Sequence, residues 1–139
     1  MSDPRPASGI EALVRAFYDR LWNAWDDRYV DQVLHPDVRF RGSLGSETVG
    51  RDGWRGYRDL MRSGSADFHN DVLDLVCSGE RAAARLEYSG THTGPLLGVP
   101  ATQRRFSYHG AAFFTAGEGM LREIWVLGDL EGLRAQLEE

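Results

Sequence analysis

The sequence predicts an α+β fold: one domain with helices packed on one face of a curved sheet. Two patterns predict it. Apolar residues before about residue 64 recur mostly at helical spacing, and from Phe68 onward they alternate as in strands separated by short turns. The length, 139 residues, suits a single compact domain with a sizeable core. Residues 1–8, "MSDPRPAS", are expected to be a disordered lead-in, leaving 9–139 as the domain.

The elements follow in order. Residues 10, 13, 14, 17, 18, 21, 22 and 25 are apolar, the spacing of an amphipathic helix with Ser8 as a candidate N-cap. "YVDQVLHPD" is expected to be a short helix stopped at Pro36, "VRFRG" a short strand and "SLGSETVG" a turn-rich loop. "RDGWRGYRDLMRSG" is expected to form a helix of weaker propensity, because it carries Gly53 and Gly56. Two strands around "SGE", a Pro/Gly loop "LLGVPA", a hairpin turning at "AGEG" and a closing helix "LEGLRAQLEE" complete the chain. A sheet curled around the first helix makes a cone whose open end is a natural pocket. The last strand is apolar on both faces, so its outer face is expected to be covered by a second copy in a homodimer.

Composition narrows the function. The net charge of −5, from 16 basic and 21 acidic residues, argues against a nucleic-acid partner. No apolar run approaches a membrane span, and the N-terminus lacks the pattern of a signal peptide, so a cytoplasmic protein is expected. All 16 basic residues are arginine, which removes Schiff-base catalysis through a lysine side chain. Cys77, the single cysteine, is expected to be a buried, inert thiol. The histidines show no metal-ligand spacing, and no metal or cofactor is expected. His35 is expected to be a solvated loop residue, His69 a rim or surface residue and His92 a local hydrogen-bonding group.

Glu123, in "LREIWVLGD", is the conspicuous residue, a carboxylate sharing a strand face with Leu121, Trp125, Leu127 and Asp129. On the preceding strand His109 shares a face with Ser107, Ala111 and Phe113. A three-residue turn at Ala116-Gly117-Glu118 would set His109 opposite Trp125 with Glu123 diagonal to it, whereas a two-residue turn would part them. If they meet, apolar neighbours and the imidazole tune Glu123 into a group able to move a proton beside a carbonyl. The competing reading is a strand carboxylate paired to an arginine. Asp129 is a second candidate acid or the N-cap of the last helix. Phe17, Tyr18, Trp22 and Trp25 suit either a core or a pocket for a flat aromatic ligand. Arg39 and Arg41 alternate with Val38 and Phe40; surface exposure is expected, the alternative being that one points inward as an anion or oxyanion contact.

The chain resembles the SnoaL-like polyketide cyclases of the nuclear transport factor 2-like (NTF2-like) superfamily, most specifically in "SGTHTGPLLGVPAT" and "REIWVLGD…LRAQL". The resemblance implies a cone-shaped α+β barrel with a curved mixed sheet around the N-terminal helices, usually dimeric. It also implies cofactor-free, acid/base-catalysed aldol-type cyclisation, or a related isomerisation, of an aromatic polyketide-like substrate. The family's acid and its histidine, fourteen positions earlier, fall on Glu123 and His109. Trp125, Ser107, Tyr18, Trp22, Phe40, Phe113 and Asp129 are then the expected substrate contacts. Glutamate stands in place of the family's aspartate, and Ser107 in place of a substrate-contacting glutamine. The alternatives are a non-catalytic small-molecule binder and an epoxide hydrolase-like or hydroxylase-like member of the superfamily.

Overall fold

In the computed structural model, which describes residues 9–138, six strands form one sheet in the order β2-β1-β6-β5-β4-β3. The chain runs α1 (Ile10–Ala16), α2 (Val30–Val33), β1 (Leu34–Arg41), β2 (Glu47–Val49) and α3 (Arg51–Gly64). It continues with β3 (His69–Ser78), β4 (Arg81–Thr91), β5 (Arg105–Gly117), β6 (Met120–Gly128) and α4 (Leu130–Leu137). β1 runs parallel to β6 and all other pairings are antiparallel, so the sheet is mixed. This is the NTF2-like α+β arrangement. The expected lead-in lies outside the described residues.

α1 forms as the periodicity predicts and buries Ile10 and Val14, but its continuation over Phe17–Trp22 widens into a π-helical turn. Asn23 N donates to Tyr18 O at 2.9 Å, a five-residue step. Such widened turns cluster at functional sites. Tyr18, Leu21 and Trp22 all stay buried across it. α3 forms despite its glycines because Trp54, Tyr57, Arg58 and Met61 share one buried stripe.

β1 starts earlier than "VRFRG" suggests, taking in His35 and Pro36. The short edge strand β2 pairs only Arg39–Arg41, so Pro36 sits where β2 asks for no ladder donor. His35 is therefore not a solvated loop residue: it is buried, and its Nδ1 accepts from Asp37 N at 3.0 Å. The ring hydrogen is then on Nε2, which donates to Glu118 Oε1 at 2.8 Å. That bond and the histidine's field hold the Glu118 carboxyl below its usual range. Cys77 is also corrected, being exposed on the sheet-edge strand β3. His92 behaves as expected: fully buried, it ties the loop after β4 through Thr102 Oγ1 at 2.9 Å and Val99 O at 3.1 Å.

The β5–β6 hairpin decides which residues meet. Its turn has two central residues, Glu118 and Gly119, at φ 56° and 76°, the mirror-image turn that hairpins favour. A bulge follows, in which Thr115 pairs with Glu123 and Ala116 with Leu121, leaving Arg122 as the extra residue. The bulge restores the parity that a two-residue turn would have reversed. From Glu123 onward, odd-numbered residues of β5 and β6 therefore share a face in a shifted register, while Leu121, before the bulge, turns inward with Ala116 and does not share the face of Glu123 as expected.

A tyrosine-lined candidate site in the cone

The inner face of the sheet is built from alternate residues: Leu86 and Tyr88 of β4; Phe106, Tyr108, Ala112 and Phe114 of β5; Ile124 and Val126 of β6. Against α3 and the widened turn after α1 these border a narrow cavity, with about 20 Å³ of space for water-sized occupants. Its lining includes Tyr18, Trp22, Phe40, Ser43, Tyr57 and Asn70. That space is well below the roughly 300–1,000 Å³ usual for small-molecule sites, so a ring-sized ligand enters only as the wall side chains move.

Its polar part is a chain of hydroxyls. Ser43 Oγ lies 2.9 Å from Tyr108 Oη and 3.4 Å from Tyr57 Oη, and Leu44 N donates to Tyr57 Oη at 3.1 Å. Three hydroxyls carry three protons, and their two mutual contacts use two of them, so one O–H remains free to donate. Tyr57 and Ser43 line the cavity, and the amide already donates into the Tyr57 oxygen. Of the orders these contacts allow, Tyr108→Ser43→Tyr57 leaves the spare proton on Tyr57, a residue of the cavity wall. Burial raises the pKa of Tyr57, Tyr88, Tyr108 and Tyr18, so these phenols stay protonated: they are donors, not bases.

Glycines seat these rings. A Cβ at Gly42 would lie 2.0 Å from Tyr57 Cζ, and one at Gly110 would lie 2.6 Å from Tyr88 Cε2. Three buried side-chain atoms among the described residues lack a hydrogen-bond partner: Thr48 Oγ1, Trp54 Nε1 and Asn70 Nδ2. Of these three residues, Asn70 lines the cavity. Among the described lining residues there is no carboxylate and no imidazole.

The residues expected from sequence divide between two faces. Tyr18, Trp22 and Phe40 line the cavity. Glu123, Trp125, Phe113, His109 and Ser107 lie on the outer face, with Phe113 and Trp125 48% and 42% exposed. The expected pairing of His109 with Trp125 does not form. Trp125 instead opposes Phe113, with ring centroids 6.0 Å apart, and Glu123 opposes Thr115. Six residues of strand separate His109 from Thr115, so His109 and Glu123 stand about 20 Å apart. The carboxylate that His109 meets is Glu87 of β4, at 3.8 Å. Glu123 shares an outer cleft with Arg39, Arg41 and Trp125; Arg39 is exposed, and the half-buried Arg41 stacks on Trp125 at 4.9 Å. Asp129 caps α4, its Oδ1 accepting from Gly132 N at 2.9 Å. Ser107 is bracketed through its backbone by the Gln136 amide.

Sequence reasoning did not single out Ser43, Tyr57, Tyr88, Tyr108 or Asn70. The alternation of β4 was a usable signal: Arg81, Arg85 and Glu87 fall on one face and Leu86 and Tyr88 on the other. Pairing by parity carries that polarity across β5, making its odd face the outer one.

A mixed sheet wrapped on helices around an aromatic, hydroxyl-bearing cavity is the NTF2-like architecture. The chain belongs to the SnoaL-like polyketide cyclase family, whose family model matches residues 12–137. It is similar to the solved structure of TsrD from Streptomyces laurentii, with 34% identity over 92% of this chain and 93% of that one, and a TM-score of 0.80. A SnoaL-like polyketide cyclase from Agrobacterium tumefaciens (20% identity, 94% and 99% covered, TM-score 0.80) shares the fold. So does wild-type IdmH from Streptomyces antibioticus (24%, 93% and 98%, TM-score 0.81). No curated protein matches the chain.

Proposed function

We propose that this chain catalyses a cofactor-free, cyclase-type reaction, an intramolecular aldol closure or related isomerisation, on a small aromatic ketone held in the cone. The observation that carries this reading is the hydroxyl cluster of Ser43, Tyr57 and Tyr108, in which the order Tyr108→Ser43→Tyr57 would leave an O–H for a ligand in the cavity. In the first step a C–H bond beside the substrate carbonyl breaks. The proton passes to water, and the electron pair moves into the enolate, whose oxygen takes the hydrogen bond from Tyr57. A protonated phenol inside an apolar wall stabilises that oxygen more than it would in water. The enolate carbon then attacks a second carbonyl of the same molecule, or is reprotonated elsewhere. Trp22, Phe40 and Phe68 hold the flat substrate near its attack geometry. Glu123 and His109 have no part in this reading, because they face away from the cavity.

The outer face suits a homodimer. Val76, Phe113, Trp125 and Leu127 all project from it, Leu127 being 54% exposed. Within this proposal the interface is the sheet face and each cone works independently.

Hydrogen–deuterium exchange of 2-tetralone in D2O, followed by proton NMR, tests the chemistry. The wild-type protein should accelerate exchange beside the carbonyl. Tyr57→Phe should slow the catalysed rate at least tenfold, within the range lost with one oxyanion donor. Glu123→Gln and His109→Gln should stay within twofold of wild type. Unchanged exchange in Tyr57→Phe, or its loss in Glu123→Gln, would sink the assignment. Binding without exchange would favour the second reading, a non-catalytic binder, which the lack of a base among the lining residues also suits.

A further inference from the structure

We infer that Asn70 is the ligand-recognising group of the cavity, its side-chain amide donating to the oxygen of a small aromatic ketone or its enolate, and that Asn23 is the residue that positions it. This rests on the reading of the cone as the binding site, though not on turnover.

Asn70 is the second residue of β3, pairs with Tyr88 and is 3% exposed. Its Nδ2 has no partner although it is buried, and a buried amide left unpaired costs stability. The rings around it could have packed against a leucine at no such cost. An unpartnered donor on the wall of a cavity is accounted for by a ligand acceptor.

The backbone of Asn70 is held unusually firmly. β3 is the last strand of the sheet, so one side of it has no neighbouring strand. Asn23 takes that place, its Oδ1 accepting from Asn70 N at 2.9 Å and its Nδ2 donating to Asn70 O at 2.8 Å. Asn23 also ends the widened turn that carries Tyr18 and Trp22 into the cavity. One side chain thus ties the aromatic wall to the strand bearing the amide.

The chemistry of the lining narrows the ligand. The cavity offers the Ser43 and Tyr57 hydroxyls and the Asn70 amide, and no carboxylate is among its described lining residues, so it suits an oxygen acceptor and disfavours a cationic amine. The cavity is narrow, which favours a compact ligand over an extended polycycle.

The test compares 2-tetralone with tetralin, which has the same ring skeleton and no carbonyl. Affinities are read from quenching of tryptophan fluorescence, Trp22 being in the cavity wall. Wild-type protein should prefer 2-tetralone. Asn70→Leu should weaken 2-tetralone about 3- to 10-fold, the loss of roughly one hydrogen bond, and leave tetralin within twofold. Asn70→Asp should lose at least as much, since a carboxylate accepts and repels an enolate. Asn23→Ala should reduce the ketone preference in the same direction but by less, an effect that a purely structural role would spread over both ligands. Asn70→Ser carries the same expectation as Asn70→Leu should the latter not fold. A ketone preference that survives in Asn70→Leu or Asn70→Ser overturns the inference, and so does failure of wild-type protein to bind 2-tetralone. Binding governed by Asn70 without accelerated exchange supports the recognition role and removes the proposed chemistry alone.

Discussion

Gly42→Ala isolates the packing that aims Tyr57. The backbone at Gly42 lies outside the left-handed region, so alanine adds no φ strain and its cost is steric. The new Cβ would meet Tyr57 Cζ at 2.0 Å and Oη at 2.3 Å. Restoring an ordinary contact of 3.4 Å requires the ring to withdraw by about 1.4 Å. The ring packs on Phe40 at 5.0 Å and Trp22 at 6.2 Å between centroids, with the cavity the free direction. That escape keeps the strain within the usual overpacking range of about 1–3 kcal/mol. The shift also breaks the 3.1 Å bond from Leu44 N, adding about 1 kcal/mol. A total of about 2–4 kcal/mol corresponds to a fall in Tm of roughly 6–20 °C for a domain of this size. Differential scanning calorimetry of Gly42→Ala, Tyr57→Leu and the double variant gives the coupling directly. The double variant should recover at least about 1 kcal/mol relative to additivity, because the clash disappears with the ring. A Tm for Gly42→Ala within 2 °C of wild type, or strict additivity, would show that Tyr57 is not seated against Gly42.

Two further outcomes follow from other parts of the molecule. Asp67 joins α3, β4 and β5, accepting from Thr91 N at 2.7 Å, Thr91 Oγ1 at 2.9 Å and Arg105 Nη1 at 3.1 Å. Burial pushes its pKa up, but the bonds from Thr91 and Ser65 outweigh that and hold it below the usual value. Its contribution is therefore present above the unfolded carboxylate's pKa of about 3.9 and is lost as pH falls through the lower folded value. Asp67→Asn should accordingly lower Tm at pH 7 and lower it less at pH 3; equal losses at both would contradict this account. On the outer face, Trp125→Glu should convert the proposed homodimer to monomer in analytical ultracentrifugation, while secondary structure by circular dichroism is retained. An unchanged sedimentation coefficient would place the interface elsewhere.

The fold was legible because local and global signals agree over most of the chain. Heptad-like apolar spacing fits α1 and α3, and the Gly-containing turns between strands lie close to where they were expected. The site was less legible, for one physical reason. Facing is set by which side of the sheet the helices cover, and β6 is apolar on both sides, so its own sequence cannot say which is inward. Register added a second ambiguity: a two-residue turn with a bulge leaves the same parity as a three-residue turn, yet shifts which residues are opposite. Glu123 and His109 therefore share a face, as expected for an odd turn, and still do not meet. Tyr18, Trp22 and Phe40 were reachable because they lie in patterns whose inward side is unambiguous. Asn70 was not, since an asparagine near a strand start reads as a turn residue.

The inner wall carries its own argument for a function beyond packing. Gly42 makes room for Tyr57 and Gly110 for Tyr88, while a Cβ at Gly128 would lie 2.9 Å from Ser43 Cβ and 3.2 Å from Tyr108 Cε2. At three places, then, the chain gives up a side chain so that a tyrosine or its serine partner can sit close to the backbone. Glycine weakens strands, and a buried hydroxyl is costly unless paired, so a wall meant only to fill space would be better served by alanine beside phenylalanine. The arrangement becomes economical once the hydroxyls must converge. Ser43 then links Tyr57 to Tyr108, burial keeps the phenols protonated, and Ser43 and Tyr57 line the same cavity as the unpartnered amide of Asn70. An unpartnered amide beside a hydroxyl cluster on one apolar wall describes the complement of an oxygen atom on a flat ligand. That oxygen is what the chemistry proposed for this cavity requires.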